Sequence, residues 1–218
     1  MRICLGVHAT EVVPSTVYFN HLVEFAGWAK RHELAFVGCE KVTVAKARNF
    51  IVKHALGLGC THWMSVDTDH YFRPNALDLL VENADAAMVS GLICKRGFPF
   101  ETVAFKRMPN GVKNNIILKP GMGVVEVDGC AMGCTLINLE WVQKLDKPWF
   151  YDSKDKRSDL TMCENLQALG GRILVDTRVE VGHRLVTPVV WPETADEARA
   201  QYVRHGVGQD ESQLETYE

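Results

Sequence analysis

Two aspartates one residue apart, Asp67 and Asp69, stand directly behind the apolar residues Trp63, Met64 and Val66, with His70 and Pro74 close after them. Carboxylate oxygens suit hard divalent ions such as Mg2+ or Mn2+, which keep open positions for water and substrate phosphates. At a strand end, this spacing can hold such an ion against a diphosphate and neutralise charge that builds up there. A solvated turn, in which one Asp helps to cap the next helix, uses the same residues without chemistry. Twelve of the 218 residues are Asp, so the triplet carries weight only with its surroundings. Arg48, in Ala47-Arg48-Asn49, is the second candidate. Its stem could lie along apolar surface, or its guanidinium could give fixed-geometry donors to phosphate oxygens.

The elements that must position these groups follow from apolar patterning. Residues 2–7, 34–38, 62–66 and 86–92 read as strands. Residues 14–31, 44–58 and 74–83 read as helices, the first with an apolar face of Val17, Phe19, Leu22, Val23, Phe25, Ala26 and Ala29. This β-α-β-α-β-α-β alternation predicts an α/β fold with a mostly parallel central sheet and helices on both faces. Ligands of such sheets bind at the carboxyl ends of strands, where the aspartate pair sits. Residues 93–128 are loop-rich, with short β pieces at 102–105, 116–118 and 124–127. A strand at 135–138, helices at 139–145 and 159–169 and a last core strand at 172–175 complete the second half. Residues 186–218 are polar, with a helix expected at 193–204.

Bulk composition narrows the classes. A net charge of −3, with no Lys/Arg stripe interleaved with aromatics, argues against a nucleic-acid partner. No apolar run approaches the ~18–20 residues of a membrane span, and the first fifteen residues lack a secretory pattern. The seven cysteines (4, 39, 60, 94, 130, 134 and 163) form no C-x-x-C pair and read as free thiols of a reducing cytoplasm. No Walker-type phosphate loop occurs, and the segment 6–10 offers no Gly-rich loop of the nucleotidyltransferase kind.

The order of these signals resembles the GT-A fold nucleotide-sugar glycosyltransferases, especially family-2-like bacterial and phage members. The likeness runs over roughly residues 3–184 and is carried by Ala47-Arg48-Asn49, the D-x-D strand end and Ser90-Gly91-Leu92. It continues through the segment 128–134, Pro148-Trp149-Phe150, Ser158-Asp159-Leu160, the strand 171–176 and Val181-Gly182-His183. The resemblance implies a single GT-A-like domain over 1–185, with a nucleotide-binding half of about 1–92, an acceptor-side half of about 93–185, and a tail at 186–218. It implies a cytoplasmic, Mn2+- or Mg2+-dependent enzyme moving a sugar from a nucleotide donor, a UDP-sugar favoured, to a glycan or other hydroxyl acceptor. Asp67, Asp69 and His183 match the metal ligands, with His70 a weaker ligand candidate expected rather at the rim. His8, Thr10, Arg48, Asp67 and Thr68 match the nucleotide site, and Lys95 and Arg96 either reach phosphate or are solvated. Gly129, Cys130 and Ala131 match the donor-sugar loop, or form a tight turn into the next strand, and Trp149 and Phe150 match an aromatic acceptor wall, or are half-buried core aromatics. Asp159 matches the general base of inverting members, which must reach the acceptor hydroxyl opposite the leaving diphosphate. The usual Glu-Asp pair stands here as Ser158-Asp159, so Ser158 serves as a helix N-cap candidate and Asp159 could be a first-turn acid without chemistry. A nucleotidyltransferase and a GT-A-like module that binds without turnover are the rival classes.

Overall fold

The chain runs β1 (Arg2–Ala9), α1 (Ser15–Ala29), β2 (Glu33–Glu40), α2 (Val44–Gly57), β3 (His62–Asp67), β4 (His70–Tyr71), α3 (Ala76–Val81) and β5 (Met88–Ile93). The second half adds β6 (Ala104–Arg107), β7 (Lys113–Asn115), β8 (Val124–Val127), β9 (Gly129–Cys130), β10 (Cys134–Asn138), α4 (Leu139–Gln143), α5 (Ser158–Ala168), β11 (Ile173–Arg184) and β12 (Val189–Val190). This computed structural model describes residues 1–9, 13–109, 111–154, 156–185, 189–190, 192–197 and 199–200. A 3-10 turn, Pro192–Thr194, leads into helical residues at 195–197 and 199–200; the rest of the helix expected at 193–204 lies outside the described residues.

The large sheet has nine strands, with the path β12-β11-β5-β10-β3-β1-β2 and with β4 and β8 also paired to β11. β2, β1 and β3 are parallel neighbours, and β5 is parallel to β11. β10 lies antiparallel to both β3 and β5, so those two halves point the same way. Five of the nine strands, β2, β1, β3, β5 and β11, run the same way, as the alternation predicts, and β4, β8, β10 and β12 run against them; local pattern could not place β10 between its neighbours. β7, β6 and β9 form a small antiparallel sheet at the side.

Strands buried on both faces should read as continuous apolar runs. In β5 every residue is buried, and in β3 all but the terminal Asp67 are. Alternate side chains then divide the core into two layers. Cys4 and Trp63 face α2, α4 and α5 through Ile51, Val142, Met162 and Leu166. Ile3, Leu5, Met64 and Val66 face α1 and α3 through Trp28, Leu77 and Leu80. No helix of the described residues is long and apolar enough to cross a membrane.

Two local departures from the sequence reading matter for the site. The face that α1 buries is Val17, His21, Glu24 and Trp28, while Phe19, Leu22 and Val23 are exposed. Polar groups on that face have a use: the Trp28 indole N–H donates to the Pro74 carbonyl at 3.0 Å. The last core strand does not stop near residue 175 but runs to Arg184. The fully buried Asp176 interrupts the apolar run; its carboxylate accepts from the Arg178 side chain at 2.6 and 2.9 Å and from the Arg178 backbone N–H at 3.0 Å. A register shift between Asp176 and Glu180 follows, after which Val181 realigns with Ile93. A buried charge satisfied in this way lets the strand continue.

Close packing along β1 gives a direct test. A Cβ on Gly6 would lie 2.1 Å from the Trp63 indole nitrogen and 2.5 Å from Ile51 Cγ2, both on fully buried residues. Gly6→Ala is expected to destabilise the fold by about 1–3 kcal/mol through overpacking. Gly57→Ala, which meets nothing within 4 Å at the end of α2, is expected to be neutral or stabilising by up to about 1 kcal/mol. Urea midpoints of the two variants measure the difference; equal midpoints would contradict the packing.

Candidate metal centre

β1, β3, β5 and β11 end at one edge of the sheet. His8 is in register with Asp67 there, and His183 lies just beyond the pair Val181 and Ile93. After Asp67 the chain turns and β4 pairs antiparallel with the end of β11, setting Tyr71 opposite Gly182 and His70 opposite His183. The Arg184 N–H donates to the Asp69 carbonyl at 2.8 Å, fixing the turn. From behind, the His21 ring lies against Phe25 and Phe72 and its Nε2 donates to the His70 carbonyl at 2.9 Å. Burial pushes His21 down to about 4, keeping it neutral, while its bond to the His70 carbonyl pulls the other way. Asn20 clamps the Phe72 backbone, donating to its carbonyl at 3.2 Å and accepting from its N–H at 2.9 Å.

This arrangement brings Asp69, His70 and His183 together, each with a ligand atom within 4.8 Å of the others. His183 Nδ1 lies 2.6 Å from the Cys94 carbonyl and so donates its proton there. That tautomer leaves the Nε2 lone pair aimed at Asp69 Oδ2, 3.2 Å away. Two acceptors at this distance need a proton or a cation between them, and a His oriented by a backbone carbonyl is the common form of a metal ligand. Burial alone would raise the Asp69 carboxyl, but the neighbouring His183 and His70 imidazoles outweigh it and hold it far below the ordinary carboxylate range. Arg96 reaches the same oxygen from the exposed side at 3.4 Å.

Asp67 sits beside this group. Its Oδ1 is 3.7 Å from His8 Nδ1 and its Oδ2 4.0 Å from His70 Nδ1. Asp67 Oδ1 and His8 Nδ1 are buried with no hydrogen-bond partner among the described residues. Burial lowers the His8 pKa, with Asp67 opposing it. The backbone approaches closely at Gly133, whose carbonyl accepts from the Asp67 N–H at 3.0 Å. A Cβ there would fall 2.5 Å from His70 Cε1 and 2.9 Å from Asp67 Oδ2, so only glycine fits. Carboxylate and imidazole donors, with buried polar atoms still unsatisfied, suit a divalent cation.

A cavity of about 480 Å³ opens beside Asp67, lined by His8, Thr43, Val44, Arg48, Asp67, Asp152, Arg157, Ser158 and Asp159. Arg48 is buried in α2; its guanidinium donates to Ser158 Oγ at 2.9 Å and lies 5.9 Å from the Phe150 ring centre. Its Nε has no partner among the described residues. Ser158 is not the N-cap expected of it. Its hydroxyl is taken by Arg48, and the Asp152 carboxylate accepts the Ser158 N–H at 2.8 Å instead. Asp159 lies in the first turn of α5, with Oδ1 accepting the Leu160 N–H at 2.9 Å.

The structure therefore brings His8, Arg48, Asp67 and Asp159 around one cavity and sets Asp69 and His183 together near Asp67. Thr68 lies half-buried between the two aspartates, and Thr10 falls outside the described residues. His70, read as a rim residue, is instead 3% exposed and stacked on His183 at 4.3 Å between ring centres. Gly129 and Cys130 are buried in β9, and the Ala131 carbonyl is occupied by Ser90 and Thr135. Of that loop, Gly133 is the residue that touches the centre. The aromatic wall is absent from this cavity: Phe150 packs edge-on against Trp63 in the core, and Trp149 lines a separate groove with Lys46, Lys53 and Lys147. Asp152 and Arg157 were missed, because nothing in the polar loop before α5 marks them apart from its other charges.

Comparison with protein-family models finds no match, and none is found among curated proteins. Among solved structures, the crystal structure of A197 from STIV is similar with a TM-score of 0.64 at 14% identity, over 88% of this chain and 91% of that chain. GalNAc-T7, solved with UDP, GalNAc and Mn2+, is similar with a TM-score of 0.50 at 14% identity, over 81% of this chain and 37% of that one. At such identity the likeness is one of fold: the architecture is GT-A-like.

Proposed function

We propose that the chain is a metal-dependent glycosyltransferase of the family-2-like GT-A type, moving a sugar from a UDP-sugar to an acceptor hydroxyl with inversion. The observation that carries this reading is the single cavity in which Asp67 and His8 on strand ends meet Arg48 from α2 and Asp159 from α5. The fold neighbour with bound UDP, GalNAc and Mn2+ supports it. In this reading residues 1–92 hold the nucleotide, with His8 toward the base, and residues 93–185 serve the acceptor.

Asp69 and His183, with Asp67 beside them, would hold Mn2+ or Mg2+, which when bound neutralises charge on the departing diphosphate. Arg48 is already fixed by Ser158 and Phe150, and as a residue lining the cavity it would present its guanidinium to a phosphate oxygen with little freedom left to lose. Asp159 takes the proton of the acceptor hydroxyl as that oxygen bonds to the anomeric carbon and the carbon–oxygen bond to the diphosphate breaks. The diphosphate leaves with the electron pair, on the face opposite the attack.

Incubation with a panel of nucleotide sugars, with and without Mn2+, is expected to release UDP from one donor only when the metal is present. Asp159→Asn is expected to lower kcat by roughly 10²–10⁴-fold while leaving the donor KM within about a factor of two. Binding without turnover, unchanged in Asp159→Asn, would instead leave a nucleotide-binding module. Asp69→Ala should abolish Mn2+-dependent donor binding by calorimetry with the circular dichroism spectrum intact; undiminished binding would contradict the assignment.

A further inference from the structure

The cation site just proposed leaves a second imidazole unused. His70 is almost fully buried, and neither ring nitrogen has a hydrogen-bond partner among the described residues. Buried polar groups are rarely left this way unless something else satisfies them. Its Nδ1 lies 3.0 Å from Asp69 Oδ1, within ion-pair distance but not aligned for a hydrogen bond. Asp67 Oδ2 is 4.0 Å from the same nitrogen. The ring stacks on His183 with an interplanar angle of 28°, and the two residues are register partners across β4 and β11. The imidazoles are thus held as a unit by backbone pairing, one on each oxygen of Asp69.

We propose that His70 is a third protein ligand, and that the set of one carboxylate and two imidazoles makes this centre select a first-row transition-metal ion over Mg2+. The proposal rests on the preceding reading for the place of the cation, not for the sugar transfer. Mg2+ demands oxygen donors in near-octahedral array and sheds water reluctantly. Imidazole nitrogen favours ions further along the first row, so each imidazole in the shell tilts the preference away from Mg2+. The glycine at 133 is what makes room: any side chain there would meet the His70 ring.

The test uses the full chain without nucleotide. Co2+ is titrated while its visible absorption is followed, and Mg2+ is then added in competition. The expected result is saturable Co2+ binding that about a thousandfold excess of Mg2+ fails to displace by half, consistent with imidazole-rich selectivity. His70→Gln is expected to weaken Co2+ binding by at least about tenfold, the lower end of what loss of even an outer partner causes. Displacement of Co2+ by comparable Mg2+, or wild-type Co2+ affinity in His70→Gln, would overturn the proposal. Because that variant could misfold, electron spin-echo modulation of Mn2+ bound to the unmutated chain counts the coordinated imidazoles directly: two are expected, and one would overturn the role of His70. Full Co2+ binding by Asp69→Asn would instead remove the cation site itself. Loss in Asp69→Asn without loss in His70→Gln would overturn only this inference.

Discussion

The site depends on the pairing of a two-residue strand, β4, with the far end of the twelve-residue β11. That pairing sets His70 against His183 and brings Asp69 between them, although 114 positions separate Asp69 from His183. Each support of the pair has a physical cause. Asp176 and Arg178 carry β11 past its polar interruption, and the bulge after them realigns the strand with β5. α1 contributes its polar face, His21 and Asn20, to the backbone at 70–72. Without these contacts Asp69 would be an exposed turn residue, which is how many D-x-D triplets end.

A second tie joins the two halves of the chain. Arg48 on α2 reaches Ser158 at the start of α5, and Phe150 lies beneath its guanidinium. A buried arginine held at two places keeps little conformational freedom to lose when an anion arrives, which is the advantage of a preorganised donor. The Ser at 158, where the resembled family carries an acid, supplies an acceptor for Arg48 that adds no negative charge to the cavity. Asp152 does the capping that Ser158 does not.

Much of the scaffold was legible because buried parallel strands leave continuous apolar runs and amphipathic helices leave a period. β1, β3, β5 and α2 follow that logic to within a residue or two. The inverted β10 was not legible as such, because sheet order is set by long-range pairing rather than by local pattern. β11 was cut short because a buried aspartate looks, in sequence, like a strand end. The exposed Phe19, Leu22 and Val23 misled the reading of α1, whose buried face uses His21 and Glu24. At the site, Asp67, Asp69 and Arg48 stood out by residue type and spacing. His183 and Asp159 drew notice only through the family resemblance, since a lone His after a strand and a lone acid in a first helical turn are ordinary. His70 was misjudged because a strand of two residues has no periodicity to show which way it faces. Phe150 was misjudged because an aromatic run near a loop reads equally as wall or core.

In the proposed reading a cation sits among Asp67, Asp69, His70 and His183, where β3, β4 and β11 meet, and joins them to a nucleoside diphosphate. Anomalous scattering from crystals grown with Mn2+ and UDP tests it most directly. One manganese peak is expected within coordination distance of Asp69 and His183, with the diphosphate on its open side and Arg48 against the phosphates. A peak elsewhere, or UDP bound with no metal at this centre, would contradict the account.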